Sequence, residues 1–482
     1  MRILLVNPPR FNNKIPVIRE DRCEITDRYA VIPPYSLLSI AAILRNEGHE
    51  IELIDANGAA ISYPDLQLQI ANFLPDLIIF RFTPTTHSWD LKTAEITKQV
   101  SEKIVTLGIC FTLHTLIQEV LECSPTLDIY VPLNWEFQIK QVAEALQTNR
   151  PLSEINGIGF RQGDVIIVTA NGNSDYRDVF STLPLPAYDL IKDFRSYRPN
   201  TPVSGNYMVL YTSKGCPFSC VYCTVAKTPF SLKSAECVIK ELEILYSSYN
   251  VRLVSFFDET FTIDRNRTIT ICNAIKKSFP ALRWYCNTRV NLVDPELLSI
   301  MYASGCRGIA YGVESGDQTI LNNVKKGIRT EDAKRAIQWT KEAGIKVYTS
   351  FIFGLPGESR VSIQNTLRFV HETLPHGAQF NIAVPYPGTE LYTMAVKDCL
   401  ISEQTDWTLL YQHKALMKSD KLSERDLEDA RKKAYRALYF DPNWIFQNIL
   451  WIIRHPRDFP LGISYYWKNL KNYCWYRMEH AH

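Results

Sequence analysis

Three thiols fall within eight positions of the stretch SKGCPFSCVYCTV, residues 213–225: Cys216, Cys220 and Cys223. A thiolate can serve as nucleophile, redox centre or soft metal ligand, so spacing has to discriminate among these roles. A structural zinc site takes four ligands from paired Cys-x-x-Cys knuckles, and no second knuckle lies within reach. A redox pair would use Cys220 and Cys223, leave Cys216 idle and normally open a helix in a thioredoxin-like unit. Packing alone suits the trio poorly, because Gly215, Pro217 and Ser219 are turn formers that hold thiols outward. The remaining reading is an iron–sulfur cluster, whose irons are bound by thiolates. Three protein ligands leave one iron open to a substrate or a second cofactor.

Such a loop needs a rigid support, and the flanking sequence supplies candidates. Over residues 1–150, strand-like RILLVNPP and EIELIDANG flank the amphipathic YSLLSIAAILRNEGH; PDLIIFRFT follows, then a helix through DLKTAEITKQVSEK and apolar runs near KIVTLG and DIYVPL. This alternation predicts an α/β unit, a Rossmann-like parallel sheet with a ligand crevice at its strand ends. No GxGxxG follows the first strand, which disfavours a dinucleotide. Residues 151–200 read as a hairpin about Gln162-Gly163-Asp164 and a proline-rich linker. Six strand–helix units fill 201–400, beginning at YMVLYTS, RLVSFFDE, RWYCNTRV, GIAYGVES, KVYTSFIFGL and FNIAVPY. Six are too few to close an eight-stranded barrel, so a partial (β/α)6 barrel with its site at the C-terminal strand ends is expected. Residues 401–482 turn helical and aromatic.

Charge and cysteine usage narrow the setting. Among 482 residues, 53 basic side chains nearly cancel 51 acidic ones, so no overall field draws the chain to nucleic acid, and a small-molecule or peptide substrate is the expected partner. Met1 leads straight into an apolar strand without the charged start and cleavage site of a signal peptide, which predicts a cytoplasmic protein. The apolar run NWIFQNILWII is broken by Gln447 and Asn448 and is too short to span a bilayer. Twelve cysteines are too few for a disulfide scaffold in a chain this long. Cys110, Cys123, Cys237, Cys272, Cys286 and Cys306 stand in apolar, periodic contexts and read as buried thiols. Near the C-terminus SYYWKNLKNYCWYRMEH interleaves aromatics with Lys and Arg, a pattern that suits peripheral membrane contact or a cover over the substrate pocket.

The CxxxCxxC loop, with Tyr222 directly before its last Cys and a strand before it, resembles the signature of the radical S-adenosylmethionine (SAM) superfamily. FFDETF, GCRGIAYGVESGDQTILNNVKKG, SFIFGLPGES and VPYPGTELY resemble later parts of that barrel in the subgroup with an N-terminal cobalamin-binding domain. NPPR, VIREDRCE, PPYSLLSIAAILRNEGHEIELIDA and LPLPAYDL resemble that subgroup's N-terminal half. The resemblance implies that Cys216, Cys220 and Cys223 hold a 4Fe-4S cluster whose open iron is chelated by SAM. It also implies an electron donor such as flavodoxin or ferredoxin, whose electron cleaves SAM to a 5'-deoxyadenosyl radical. Tyr222 would place backbone and ring against adenine, and Asp258 or Glu259 would accept hydrogen bonds from the methionine amino group. DET stands where Gly-Gly-Glu is commonest, which leaves open which acid does so. Arg289 and Asn291 follow the third strand, Glu314 and Ser315 end the fourth and Lys326 lies after it; an Arg or Lys would suit the cofactor carboxylate, and Glu314 and Ser315 its ribose hydroxyls. As a helix cap, a strand-end acid or a solvated charge, Asp258, Glu314 and Lys326 each also have an ordinary structural explanation.

For the N-terminal domain the resemblance implies cobalamin. The chain lacks D-x-H-x-x-G, so no histidine is positioned to bind cobalt from below. Its expected contacts are the loops at Pro8 to Phe11, Thr83 to His87 and Gly108 to Thr112, with Pro9, Thr83, Thr85, Gly108 and Thr112 as the contacting residues. Phe111 and Trp135, where small residues are expected, would either obstruct a corrin face or stack on it. The expected activity is methylation of an unactivated carbon in a natural-product or lipid-like substrate. Two alternatives stand beside it: a cobalamin-independent peptide Cα epimerase with Cys399 returning the hydrogen, and a non-enzymatic cobalamin or Fe–S carrier.

Overall fold

The structure, a computed structural model, describes residues 1–20, 30–170, 180–199, 205–402, 406, 409–410, 415–417 and 421–454, and the backbone of 24–25. The N-terminal sheet contains β1 (Arg2–Asn7), β2 (Glu50–Asp55), β3 (Leu77–Arg81), β4 (Val105–Ile109), β5 (Ile129–Val131), β6 (Gly159–Gln162) and β7 (Val165–Val168), in the order β2-β1-β3-β4-β5-β6-β7. β1 to β5 are parallel. The hairpin β6–β7, which sequence places in the linker, extends this sheet as an antiparallel edge. Alternate residues of β1 enter different apolar clusters, Ile3 and Leu5 in one and Leu4 and Val6 in the other. Period-two alternation with both faces covered explains the unbroken apolar run of this strand. Helix α1 (Tyr35–Asn46) supplies Leu37, Leu38, Ala41 and Leu44 to the first cluster.

The second sheet is the expected half barrel: β8 (Asn206–Leu210), β9 (Val251–Phe256), β10 (Arg283–Thr288), β11 (Cys306–Glu314), β12 (Lys346–Phe353) and β13 (Gly377–Ile382), parallel and in chain order. Helix α2 (Ala235–Ser248) follows the cysteine loop, with Val238, Leu242 and Leu245 buried and Glu241 on the same stripe. After β12, a loop leads into helix α3 (Arg360–Thr373). Helix α4 (Glu424–Tyr439) covers β13: Tyr439 Oη accepts from Ala378 N at 3.2 Å, Tyr435 Oη from Phe380 N at 3.3 Å, and Arg431 Nε donates to Phe380 O at 2.8 Å. Side chains thus satisfy a sheet edge that would otherwise present bare backbone groups. Helix α5 (Pro442–Arg454) docks through buried Trp444, whose Nε1 donates to Pro375 O at 2.9 Å. Among the described residues no helix is long and apolar enough to cross a membrane. The aromatic C-terminal stretch, with its expected membrane contact, lies outside the described residues.

Of the ten described cysteines, five are not buried. Cys216 and Cys223 of the loop are half-buried; Cys237 is half-buried, and Cys123 and Cys399 are exposed. For Cys123 this corrects the expectation: it caps the short helix Ile117–Glu122 at its solvent end, where the apolar periodicity of that helix no longer applies.

In the loop between β12 and α3, Glu358 is buried, and its Oε1 accepts from Ser362 Oγ at 2.5 Å. Burial pushes its pKa up to about 7, and Asp317 adds to the rise. A raised folded-state pKa stabilises the fold fully below the unfolded value near 4.5, and that stabilisation is lost as pH rises through about 7. Glu358→Gln should therefore be more stable than the native chain at pH 8, by up to about 3 kcal/mol at 1.36 kcal/mol per pKa unit. The two should match at pH 4; denaturant unfolding at both pH values measures the difference.

Candidate active site between the half barrel and the N-terminal domain

The cysteine loop leaves β8 through residues 213–214, which pair antiparallel with 231–232. Gly215 has φ +76°, and a Cβ there would lie 2.0 Å from Pro229 O, so glycine is required at this turn. The loop closes on itself: Cys216 N donates to Thr228 Oγ1 at 3.0 Å, Cys223 N to Cys220 O at 3.1 Å and Lys227 N to Phe218 O at 2.9 Å. It is then tied to the barrel. Val221 N donates to Val324 O at 3.1 Å, Leu391 N donates to Val221 O at 2.8 Å, and the Val221 side chain packs with Ile320, Val324, Leu355 and Leu391.

All three cysteines are free, with Cys220 buried. Burial pushes the Cys223 thiol up to about 12 and also raises Cys216; the Glu259 carboxylate and the neighbouring thiols add to both. Metal binding converts such thiols to thiolates. Among the described residues no three His, Cys, Asp or Glu side chains surround a single-ion position. An iron–sulfur cluster makes no such demand, because each thiolate takes a different iron. Three free thiols on one pinned loop fit such a group in donor type and number.

Arg289 joins this loop to the strand ends. Its guanidinium lies 3.8 Å from the Phe218 ring centroid, Nη1 is 3.8 Å from Cys220 Sγ, Nε donates to exposed Asn291 Oδ1 at 3.3 Å and Nη2 donates to Lys326 O. Lys326 Nζ in turn donates to Glu314 Oε1 at 2.8 Å and to Tyr222 Oη at 3.3 Å. Burial first and Glu314 next hold the Tyr222 phenol well above its ordinary range. Glu314 has φ +73°, unusual for a residue with a side chain, where the β11–β12 register shifts. Gly312 makes room for the pair, since a Cβ there would sit 2.5 Å from Glu314 Oε1 and 2.9 Å from Lys326 Nζ. Tyr222, Arg289, Glu314 and Lys326 therefore form one contiguous polar group with the cysteine loop.

Other expected site residues have different surroundings. Asp258 faces back into the fold, accepting from Thr212 N at 2.6 Å, Ser213 N at 2.9 Å and Thr212 Oγ1, and so aligns the ends of β8 and β9. Its neighbour Glu259 borders the thiols and the cavity described below. Ser315 is fully buried and accepts from Asp317 N at 3.1 Å, shaping the turn into helix Gln318–Asn323. Cys399 is exposed and outside the cavity wall.

A cavity of about 170 Å³, open to solvent, lies between the cysteine loop and the N-terminal domain. Phe111 and Trp135 line it after β4 and β5, opposite Tyr211, Val225 and Phe257 of the barrel side. The other expected N-terminal contacts lie elsewhere. At the ends of β1 and β3, buried Arg19 donates to Pro8 O and Pro9 O, both at 2.9 Å, and pairs with Asp90 at 2.7 Å. Asp90 also receives Thr83 N at 3.2 Å and Thr86 Oγ1 at 2.7 Å, while Thr83 Oγ1 and Thr85 Oγ1 lie 3.3 Å apart. The Arg19 guanidinium thus bridges the strand ends at which a ligand crevice is expected. Gly108 packs against Phe82 and Leu127, and Thr112 is buried. None of Pro9, Thr83, Thr85, Gly108 or Thr112 lines the cavity.

Residues 210–370 match the model of the Radical SAM superfamily. An uncharacterized methyltransferase of Pyrococcus horikoshii is 29% identical over 458 residues, covering 93% of this chain and 95% of its own length. The anaerobic magnesium-protoporphyrin IX monomethyl ester cyclase of Rubrivivax gelatinosus is 25% identical over 420 residues, 85% of this chain and 74% of that one. Among solved structures, the radical SAM methyltransferase TsrM of Kitasatospora setae, with cobalamin and a [4Fe-4S] cluster bound, superposes with a TM-score of 0.70 at 16% identity, over 92% of this chain and 90% of that one. Residues 210–370 thus carry a match to a radical SAM domain, and the chain has the arrangement of a half barrel preceded by a Rossmann-like domain.

Sequence reading passed over a buried cluster on the cavity wall. Lys233 Nζ donates to Tyr35 Oη at 2.7 Å and to Glu241 Oε2 at 2.9 Å, and Glu241 Oε1 accepts from Tyr35 Oη at 2.9 Å and Tyr188 Oη at 2.5 Å. The available signal was Glu241 itself, an acid on the apolar stripe of α2.

Glu314 and Lys326 are both more than nine-tenths buried. Lys326→Met should cost about 3–5 kcal/mol by leaving the carboxylate without its cation, whereas Lys326→Met combined with Glu314→Gln should cost less. Denaturant unfolding of the two variants checks that order.

Proposed function

We propose that this chain is a cobalamin-dependent radical SAM methyltransferase acting on an unactivated carbon of a small, largely apolar substrate. One observation carries the reading: three free thiols sit on a pinned loop that faces, across one cavity, the strand ends of a Rossmann-like domain. Cys216, Cys220 and Cys223 are the residues to hold a 4Fe-4S cluster, and Tyr222, Arg289, Glu314 and Lys326 those to hold SAM beside it. Once bound, these groups supply one-electron chemistry that starts with reductive cleavage of SAM, with the electron drawn from a small donor protein such as a flavodoxin or ferredoxin.

The chain's own residues do the positioning. Lys326 holds the Glu314 carboxylate in place, so that its acceptor oxygens suit ribose hydroxyls. Arg289 sets the cysteine loop against β10 and the turn after β11. Phe111 and Trp135 would offer flat apolar surfaces to a corrin. The methyltransferase names of the Pyrococcus relative and of TsrM support this reading over hydrogen return by Cys399, which is exposed and away from the cavity.

Anaerobically reconstituted protein should bind about four irons and four sulfides, and replacement of all three loop cysteines by Ala should abolish the visible absorption. It should take up hydroxocobalamin stoichiometrically and cleave SAM to 5'-deoxyadenosine when reduced. Full cluster content in the triple variant would remove the cluster assignment, and failure to take up any corrin would remove the methyl-transfer reading.

A further inference from the structure

We propose that the Lys233 ammonium is a specificity determinant, anchoring a carboxylate of a substrate whose apolar body lies against Phe111, Phe180 and Phe257. This names the substrate class of the site and rests on the function proposed above. An ammonium has three N–H donors. Two of those on Lys233 are taken, by Tyr35 Oη at 2.7 Å and Glu241 Oε2 at 2.9 Å. Its nitrogen also lies 5.5 Å and 5.3 Å from the ring centroids of Tyr35 and Phe180, and Lys233, Tyr35 and Phe180 all line the cavity. The third donor is therefore available at a wall that is otherwise mostly aromatic and aliphatic.

Glu241 does not need that third donor, because two tyrosine hydroxyls already reach it. The other lysine of the wall, Lys214, is committed: it pairs with Glu136 and lies 5.0 Å from the Trp135 ring centroid. Of the acids that line the cavity, Glu20 accepts from Ser36 N and Ser36 Oγ, Glu136 is paired with Lys214, and Glu259 borders the cysteine loop. Lys233 is thus the lysine of this wall with an N–H left for a substrate carboxylate, and Phe111, Phe180 and Phe257 of the same cavity receive the apolar body. A charge-assisted hydrogen bond in such surroundings is worth more than in water.

The test uses cluster-reconstituted, corrin-free full-length protein and two fluorescent probes of one shape, 1-pyrenebutyrate and its neutral amide. The native chain should bind the acid about tenfold more tightly than the amide, the ratio that one charge-assisted bond of about 1.4 kcal/mol gives. Lys233→Met combined with Glu241→Gln removes both charges at nearly constant volume. It should bring the acid to the amide's affinity while leaving the amide's affinity and hydroxocobalamin uptake unchanged. Lys233→Arg, which keeps the charge and the pair with Glu241, should retain the preference for the acid and covers the case in which the double variant does not fold. Equal binding of acid and amide by the native chain, or an acid preference that survives in the double variant, overturns the proposal. So does loss of corrin uptake in the double variant, which would assign Lys233 to the corrin amides. Protein that prefers the acid but binds neither cluster nor corrin overturns the function above and leaves the anchor standing.

Discussion

A carboxylate with no solvent exposure sits where three parts of the chain meet, and the shape of the site depends on how its charge is met. Glu241 belongs to the half barrel, Tyr35 to the first helix of the N-terminal domain and Tyr188 to the segment between them, with Lys233 completing the set. Removing a carboxylate from water costs several kcal/mol unless it is paired and hydrogen-bonded, so this cluster forms only when all three parts are in register. The cavity lies beside the cluster and inherits its walls from the same three parts.

The cysteine loop meets a related difficulty by other means. Its own turns bring the thiols together, but two backbone hydrogen bonds at Val221 and the guanidinium of Arg289 join it to the barrel. Arg289 suits this because its planar fork serves a ring face, a sulfur and a carbonyl at once, which the point charge of a lysine would not. The left-handed backbone at Glu314 belongs to the same region. A residue held there with φ +73° needs surroundings that over-determine it, and the buried pair with Lys326 in the space left by Gly312 supplies them.

What was legible in the sequence follows the range of the interactions involved. The six barrel strands and the N-terminal alternation could be read because burial imposes a local period, and the thiol trio because its members lie within one turn-rich loop. The role of the hairpin at 159–168 was not legible, since a β-hairpin looks alike whether it stands alone or extends a sheet. Pro9, Thr83 and Thr85 lie at strand ends, but nothing local reveals that the Arg19 guanidinium bonds to Pro8, Pro9 and Asp90 there. Asp258 and Glu259 are adjacent and chemically alike; only the fold turns one toward Thr212 and the other toward the thiols. The Lys233 cluster joins residues some 200 positions apart, so its members carry no shared pattern.

The cover that helix Glu424–Tyr439 places over the last barrel strand bears on how the chain is made. Gly377–Ile382 is synthesised well before Arg431, Tyr435 and Tyr439, which satisfy its outer backbone groups. At roughly 5–20 residues per second of translation, that edge stays bare for a few seconds on every nascent chain. During that interval the half barrel is most exposed to pairing with another unfinished copy. The C-terminal helices thus act as a late-arriving guard on the newborn sheet, and a ribosome that stalls before Glu424 releases a chain with its most adhesive surface uncovered.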